Sequence, residues 1–385
     1  VWDQLTDDER QWRASCRRFA AEVIAPSARR YDLANEFAAD VHAAAHDAGL
    51  MNLAFPTELG GQGRSHRVVA IGGEELAAAC APIAFSLGFN MGSLRPIWVA
   101  GTADQKRRFI ADLISERRYA SICMTEAAGA GSNLASIRTR AVRTDHGWAI
   151  TGSKSMIGNG AVSSLYLVLA NAIDGGQSRG LTFFAVPRTD GVTVGPNPDK
   201  LGFRALTTPT IDFAGVEVGD DCVIGEVGAA ESLLIDSLDY MRFGGGAILL
   251  GLVVGALRDA MPWLEERQVL GGPLIDKSHV QLQLGDIYGE LRALRQLLWK
   301  AAEMIDAGQR CSFETAVLKL RASRLAERAT SQIAQMFGWR GIDGDYAIQK
   351  RMRDARVTTI YEGTSEIQQL NIFGELRRAH NAGEL

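Results

Sequence analysis

The run Arg351-Met352-Arg353-Asp354, followed after a short gap by Ile360-Tyr361-Glu362-Gly363-Thr364-Ser365-Glu366-Ile367-Gln368, decides how this chain is read. Before it, the basic Lys350, Arg351 and Arg353 are broken by Asp354; after it, Ile367, Leu370, Ile372 and Phe373 mark an apolar helical face. Ser365-x-x-Gln368 has capping-box spacing, which predicts a helix from Ser365 and leaves Glu362 in the turn just ahead of it. A carboxylate there can be aimed outward by backbone geometry. It can equally do no more than complement the helix dipole, so the rest of the chain has to decide.

At 385 residues, 46% hydrophobic and 22% charged, the chain has an ordinary globular composition and room for two or three domains. Its net charge of -4, with both signs interspersed, offers no basic stripe, so neither nucleic acid nor a membrane is expected as a partner. Cys16, Cys80, Cys123, Cys222 and Cys311 stand far apart and form no C-x-x-C pair. They read as reduced, mostly buried thiols, and a cytoplasmic location is expected. The opening Val1-Trp2-Asp3-Gln4-Leu5-Thr6-Asp7-Asp8-Glu9 shows no secretory signal, and no transmembrane span is expected. His42 and His46, four apart, have no third ligand at metal spacing and read as two surface histidines, with no metal.

Working back along the chain, helical periodicity runs from Thr6 to Pro26, from Ala38 to Gly49, from Val68 to Cys80, around Leu87 to Val99, and from Thr102 to near Ile114. Near Tyr119 the period changes. Short β-branched and aromatic runs follow at Trp148–Thr151, Leu165–Leu169, Leu181–Val186, Val192–Val194 and Thr210–Phe213. After Gly225 the helical period returns and holds to the end. The expected class is α+β, with a helical domain over 1–118, a β-domain over 119–226 and a four-helix bundle over 227–385. The small residues Gly244, Gly245, Gly246, Gly251 and Gly255 predict close helix-helix or helix-ligand approach in the first bundle helix.

Several nucleotide and hydrolase motifs are missing. Gly60-Gly61-Gln62-Gly63 lacks the strand and the Lys-Ser/Thr of a P-loop, no G-x-G-x-x-G follows a strand, and there is no G-x-S-x-G elbow. The stretch Cys123-Met124-Thr125-Glu126-Ala127-Ala128-Gly129-Ala130-Gly131-Ser132-Asn133 is more informative, because freed amides and hydroxyls there make a bed for a polar ring edge or a pyrophosphate.

With Phe55-Pro56-x-Glu58-x-Gly60-Gly61-x-Gly63, Glu74-Glu75-Leu76, Thr125-Glu126 through Ser132, Gly152-Ser153-Lys154-x-x-Ile157-x-Asn159-Gly160, Lys200 to Arg204, Leu238-Asp239-x-x-Arg242, Arg267 to Leu274, Gln335-x-Phe337-Gly338-x-x-Gly341 and the opening stretch in register, the chain resembles the acyl-CoA dehydrogenase family over essentially its full length. The resemblance implies FAD as cofactor and α,β-dehydrogenation of an acyl thioester, with flavin N5 taking the β-hydrogen as hydride. Glu362 corresponds to the base for the α-proton, its own N–H helping to hold the thioester carbonyl. Thr125 would meet the flavin pyrimidine edge, with Met124 beside it, and Ser132 the pyrophosphate. Arg267, Leu270, Gln335 and Gly338 would reach FAD from a neighbouring subunit, and Thr364 and Glu366 its adenosine half. Asp239, Arg242, Tyr361 and Gly363 would line the acyl-CoA channel. In some relatives the base sits one residue before that arginine, where this chain has Met241, which cannot serve. Implied partners are acyl-CoA or an acyl carrier protein thioester, an electron-transferring flavoprotein, and further copies of the chain in a homotetramer or homodimer.

The chain departs from the family pattern at the flavin. Met156 stands where a stacking Trp is usual, Gly158 where a Thr bonds N5, Asn133 where Asp is usual, and Leu270 and Trp339 near the adenine end; the loop before Ser132 carries one extra residue. These changes keep three other readings open: a carrier-protein-linked dehydrogenase, a flavin monooxygenase of the same fold, and a non-catalytic subunit of a mixed oligomer. Glu362 argues against the monooxygenase class.

Overall fold

The structure is a computed structural model that describes residues 4–129 and 131–384; Val1 to Asp3 of the opening, Ala130 of the glycine-rich loop and Leu385 lie outside the described residues. Thr6 caps α1 (Asp7–Phe19) with a full capping box, its hydroxyl accepting from the Glu9 N–H while the Glu9 carboxylate accepts from its own. A widened turn leads into α2 (Ala25–Ala34), which ends at left-handed Asn35, and α3 (Ala39–Asp47) follows. The two helical runs expected on either side of Cys80 are one element, α4 (His66–Ser93), with a kink. Cys80 is extended (φ -156, ψ 104) because Pro82 has no N–H to donate and its ring crowds the turn before it. The short helices α5 (Arg95–Ala100), α6 (Ala103–Lys106) and α7 (Asp112–Ser115) complete this part.

The middle part is one sheet of β1 (Ala120–Cys123), β2 (Arg140–Thr144), β3 (Gly147–Lys154), β4 (Leu165–Asp174), β5 (Gln177–Pro187), β6 (Val192–Val194), β7 (Ile211–Val218) and β8 (Val223–Ile224). The order is β6-β7-β3-β2-β4-β5-β8, and β1 pairs parallel with the start of β4 while β2 pairs parallel with its end. The loop from β1 to β2 therefore leaves and rejoins the sheet along one strand, which holds both its ends. Every strand expected from the sequence is present; β1, β2 and β8 are additional.

The C-terminal part holds α8 (Ala230–Glu266), the hairpin β9 (Gln268–Val269) and β10 (Gly272–Pro273), α9 (Ser278–Asp306), α10 (Ser312–Met336), α11 (Ala347–Val357) and α12 (Ser365–Asn381). The expected small-residue contacts are realised on α8: a Cβ on Gly251 would lie 2.4 Å from the Glu74 carbonyl oxygen of α4, and one on Gly246 2.4 Å from Leu318 of α10. The stretches His66–Ala100 and Ala230–Glu266 are each long and apolar enough to cross a membrane. In the fold 72% and 78% of their most apolar windows are buried, because α4 and α8 pack on each other.

The Arg353-Asp354 pair fastens the three parts together. Arg353 reaches Asp32 of α2 at 2.5 Å, and Asp354 accepts from the Phe203 N–H at 2.7 Å and from Lys350 at 2.6 Å. His42 corrects the surface reading: it is buried against Phe37 and Tyr119, with Nε2 3.0 Å from Ser86 Oγ. Burial pushes it down to about 3, so it is a neutral core residue.

Candidate active site

Glu362 stands where α11 gives way to α12, and its backbone is held in the left-handed region at φ 54, with Gly363 following at φ 89. For a residue with a Cβ this conformation persists only where the surroundings enforce it. Three side chains do so. The Glu362 carbonyl accepts from Arg242 Nε at 3.2 Å and Gln368 Nε2 at 3.1 Å; the Gly363 carbonyl accepts from Gln368 at 3.0 Å and Lys319 Nζ at 2.7 Å. The helix after the turn begins at Ser365 as expected, but its cap is Thr364, whose hydroxyl accepts from the Ile367 N–H. Gln368 is thus spent on the turn, and Ser365-x-x-Gln368 is no capping box.

The carboxylate itself points into a cavity. Gly245 on α8 makes the room: a Cβ there would lie 2.5 Å from Glu362 Oε2. That oxygen is buried and has no hydrogen-bond partner among the described residues. Burial raises the carboxyl well above its usual range, and the charges of Lys319 and Arg242 offset only part of the shift.

Across the cavity, the two motif loops of the β-domain are latched together. Lys154, fully buried at the end of β3, reaches Glu126 at 2.9 Å and the Met124 carbonyl at 3.1 Å, while the Ser155 N–H donates to the Thr125 carbonyl at 2.8 Å. Burial alone would push the Glu126 carboxyl up; hydrogen bonds from Thr139, Lys154 and the N–H groups of Arg138 and Thr139 outweigh it and hold it at about 2. The latch sets Thr125 beside Met156 and Gly158 as one wall.

That wall, together with Ser132, Asp239, Arg242, Tyr361, Gly363, Thr364 and Glu362, lines a cavity of about 940 Å³. Asp239 accepts from Arg242 at 3.0 Å and from the Ser312 hydroxyl. A second, apolar pocket of about 90 Å³ continues past Glu362 between α4 and α8. Arg267, Leu270, Gln335, Gly338 and Glu366 do not line the large cavity. Leu270, at the tip of the β9–β10 hairpin, is 94% exposed, and Gln335 and Gly338 close α10 beside exposed Trp339, so these positions form a separate outer surface of the chain.

Sequence reasoning missed Lys319. Its signal was available: it stands between Leu318 and Leu320 on the buried face of α10 with Thr315, Ala322 and Ser323. Among the described residues no cluster of three or more His, Cys, Asp or Glu is placed to hold a metal. The wall does fit a planar ring with a polar edge. Met124, Met156 and Ile157 supply apolar faces and Thr125 a hydroxyl, and the missing side chain of Gly131 leaves the space over that hydroxyl open, since a Cβ there would lie 2.8 Å from Oγ1.

Comparison with known proteins agrees with this architecture. Residues 6–117, 121–216 and 232–376 match the acyl-CoA dehydrogenase N-terminal, middle and C-terminal domains. The mitochondrial short-chain specific acyl-CoA dehydrogenase of Bos taurus is 32% identical over 381 residues, 98% of this chain and 92% of that protein. Cyclohexane-1-carbonyl-CoA dehydrogenase of Geobacter metallireducens is 33% identical over 362 residues, 94% and 95% of the two chains. The structure of butyryl-CoA dehydrogenase from Megasphaera elsdenii superposes with a TM-score of 0.92 at 30% identity, covering 97% of this chain and 99% of that one. Fold and site thus define a flavoprotein oxidoreductase. The chain belongs to the acyl-CoA dehydrogenase family, whose cofactor is FAD.

Proposed function

We propose that this protein oxidises short-chain acyl-CoA thioesters to 2-enoyl-CoA, with Glu362 as the base that takes the α-proton. The observation that carries the reading is the unpartnered, buried Glu362 Oε2 at the junction of the two cavities. A thioester α-proton is a poor acid, so its base has to be desolvated and the enolate oxygen held by donors. Burial supplies the first condition by raising the carboxyl toward working pH. The rigid turn supplies the second, presenting the Glu362 N–H to the thioester carbonyl. Met124, Thr125, Ser132, Met156 and Gly158 would hold FAD along the cavity wall, where it would supply the acceptor for the β-hydrogen.

The rest of the acyl group enters the apolar pocket. At about 90 Å³ that pocket takes a tail of only a few carbons. Asp239, Arg242 and Ser312 steer the thioester arm, and electrons leave to an electron-transferring flavoprotein. Exposed Leu270, Trp339 and Ile342 support assembly into a homotetramer, in which Arg267, Gln335 and Gly338 meet the cofactor of a neighbour.

The purified protein is expected to be yellow and to bleach anaerobically with butyryl-CoA. Glu362→Gln keeps the colour and slows bleaching by about 10²–10⁴-fold, the usual loss for a positioned base. Protein that refuses FAD, bleaching by a carrier-protein thioester alone, or a wild-type rate in Glu362→Gln would each overturn the reading.

A further inference from the structure

Among the described residues, Phe85, Phe89, Met241 and Glu362 line both the large cavity and the apolar pocket, so they form the waist between the two. The bond to be oxidised has to lie within reach of Glu362 and therefore at this waist. Two of the bulky side chains there are seated over glycines.

The first pair joins α4 to the loop after β3. Ser86 Oγ donates to Asn159 Oδ1 at 2.7 Å and Asn159 Nδ2 donates to the Ser86 carbonyl at 3.0 Å, which locks helix and loop in register. Three residues further along the same helix face, the Phe89 ring reaches Gly158: a Cβ at 158 would lie 2.3 Å from Cζ and 2.6 Å from Cε2. The loop cannot retreat, because the Gly158 carbonyl accepts from Ser121 at 2.7 Å and the N–H groups of Ile157 and Asn159 are tied to Pro209 and Thr207. The second pair joins α4 to α8: a Cβ on Gly92 of α4 would lie 2.8 Å from Cγ of Met241 on α8. Phe85, 5.6 Å from Phe89 and 5.1 Å from Tyr361 between ring centroids, carries the packing round to the residue before the base.

We infer that the Phe89–Gly158 and Met241–Gly92 pairs form a selectivity collar that admits thioesters unbranched at the β-carbon and excludes those branched there, a statement that rests on the dehydrogenase reading above. The hydroxyl missing at 158 is then no isolated loss. Its volume has been taken over by a phenyl ring from another domain, and a β-substituent would have to occupy the space of that ring or of the methionine.

The test compares butyryl-CoA with 3-methylbutyryl-CoA in anaerobic flavin bleaching, together with FAD content and melting temperature. The wild type is expected to favour butyryl-CoA at least tenfold. Phe89→Ala and Met241→Ala each narrow that preference tenfold or more while retaining FAD. Gly158→Thr alone lowers FAD content and melting temperature, and the double variant Phe89→Ala/Gly158→Thr restores both. An unchanged substrate ratio in both alanine variants, or full FAD content in Gly158→Thr with Phe89 present, would overturn the collar. If no acyl-CoA bleaches the wild type, the functional reading falls, and the FAD content of the double variant still decides the pairing.

Discussion

Glu362 is presented by a turn on which Arg242, Lys319 and Gln368 converge, and Lys319 also places a buried charge close to the carboxylate. The groups facing Glu362 are Arg242 from α8 and Lys319 from α10, with Glu366 of α12 acting on the lysine. Burial raises the carboxyl and the two cations lower it, so removing one cation leaves burial less opposed and raises it further. On the proposed reading Glu362 works deprotonated, so activity is lost as pH falls through the raised value. Lys319→Met is therefore expected to move the acid limb of the bleaching rate up by roughly one pH unit; stopped-flow pH profiles read this, and an unmoved limb assigns the tuning to Arg242. Glu362's position ahead of a helix was legible because capping residues and an apolar face follow it. The clamp was not: Gln368 sits at capping spacing yet reaches backward, and Lys319 is more than forty residues away in a helix whose pattern marks burial but not its target.

The latch between the β1–β2 loop and the end of β3 makes one rigid wall from two loops. Glu126→Gln leaves Lys154 buried without its counter-charge and is expected to cost about 3 kcal/mol, the range for breaking a buried pair from one side. A chemical-denaturation midpoint that does not move would show the wall is held by its backbone bonds instead. Since the Glu126 carboxyl is held below its ordinary 4.5, its contribution is complete above that value and is lost as pH falls toward about 2. Of the elements around this wall, β3, β4 and β5 were legible from their apolar runs. β2 was not, because Arg140, Arg143 and Thr144 give it a polar face, and β1 is only four residues long.

Over the whole molecule, the α, β, α order could be read because the hydrophobic period changes twice, but which helix of the first part meets the last could not. The small residues of α8 announced a close approach without naming α4 as its partner. The outer surface around Leu270, Trp339 and Ile342 belongs to the same scale. Trp339→Asp is expected to shift the particle mass to smaller species and to lower FAD content, measured by light scattering and absorbance; unchanged mass and colour would place the subunit contact elsewhere. The pairing of α4 with α8 also has a consequence for biosynthesis. The entire β-domain is translated between them, so at about 5–20 residues per second a span-like apolar helix waits on the order of 10 s on the ribosome before its cover emerges. During that interval the nascent chain offers a chaperone, or a translocation machine, the signal of a membrane segment that the finished enzyme conceals.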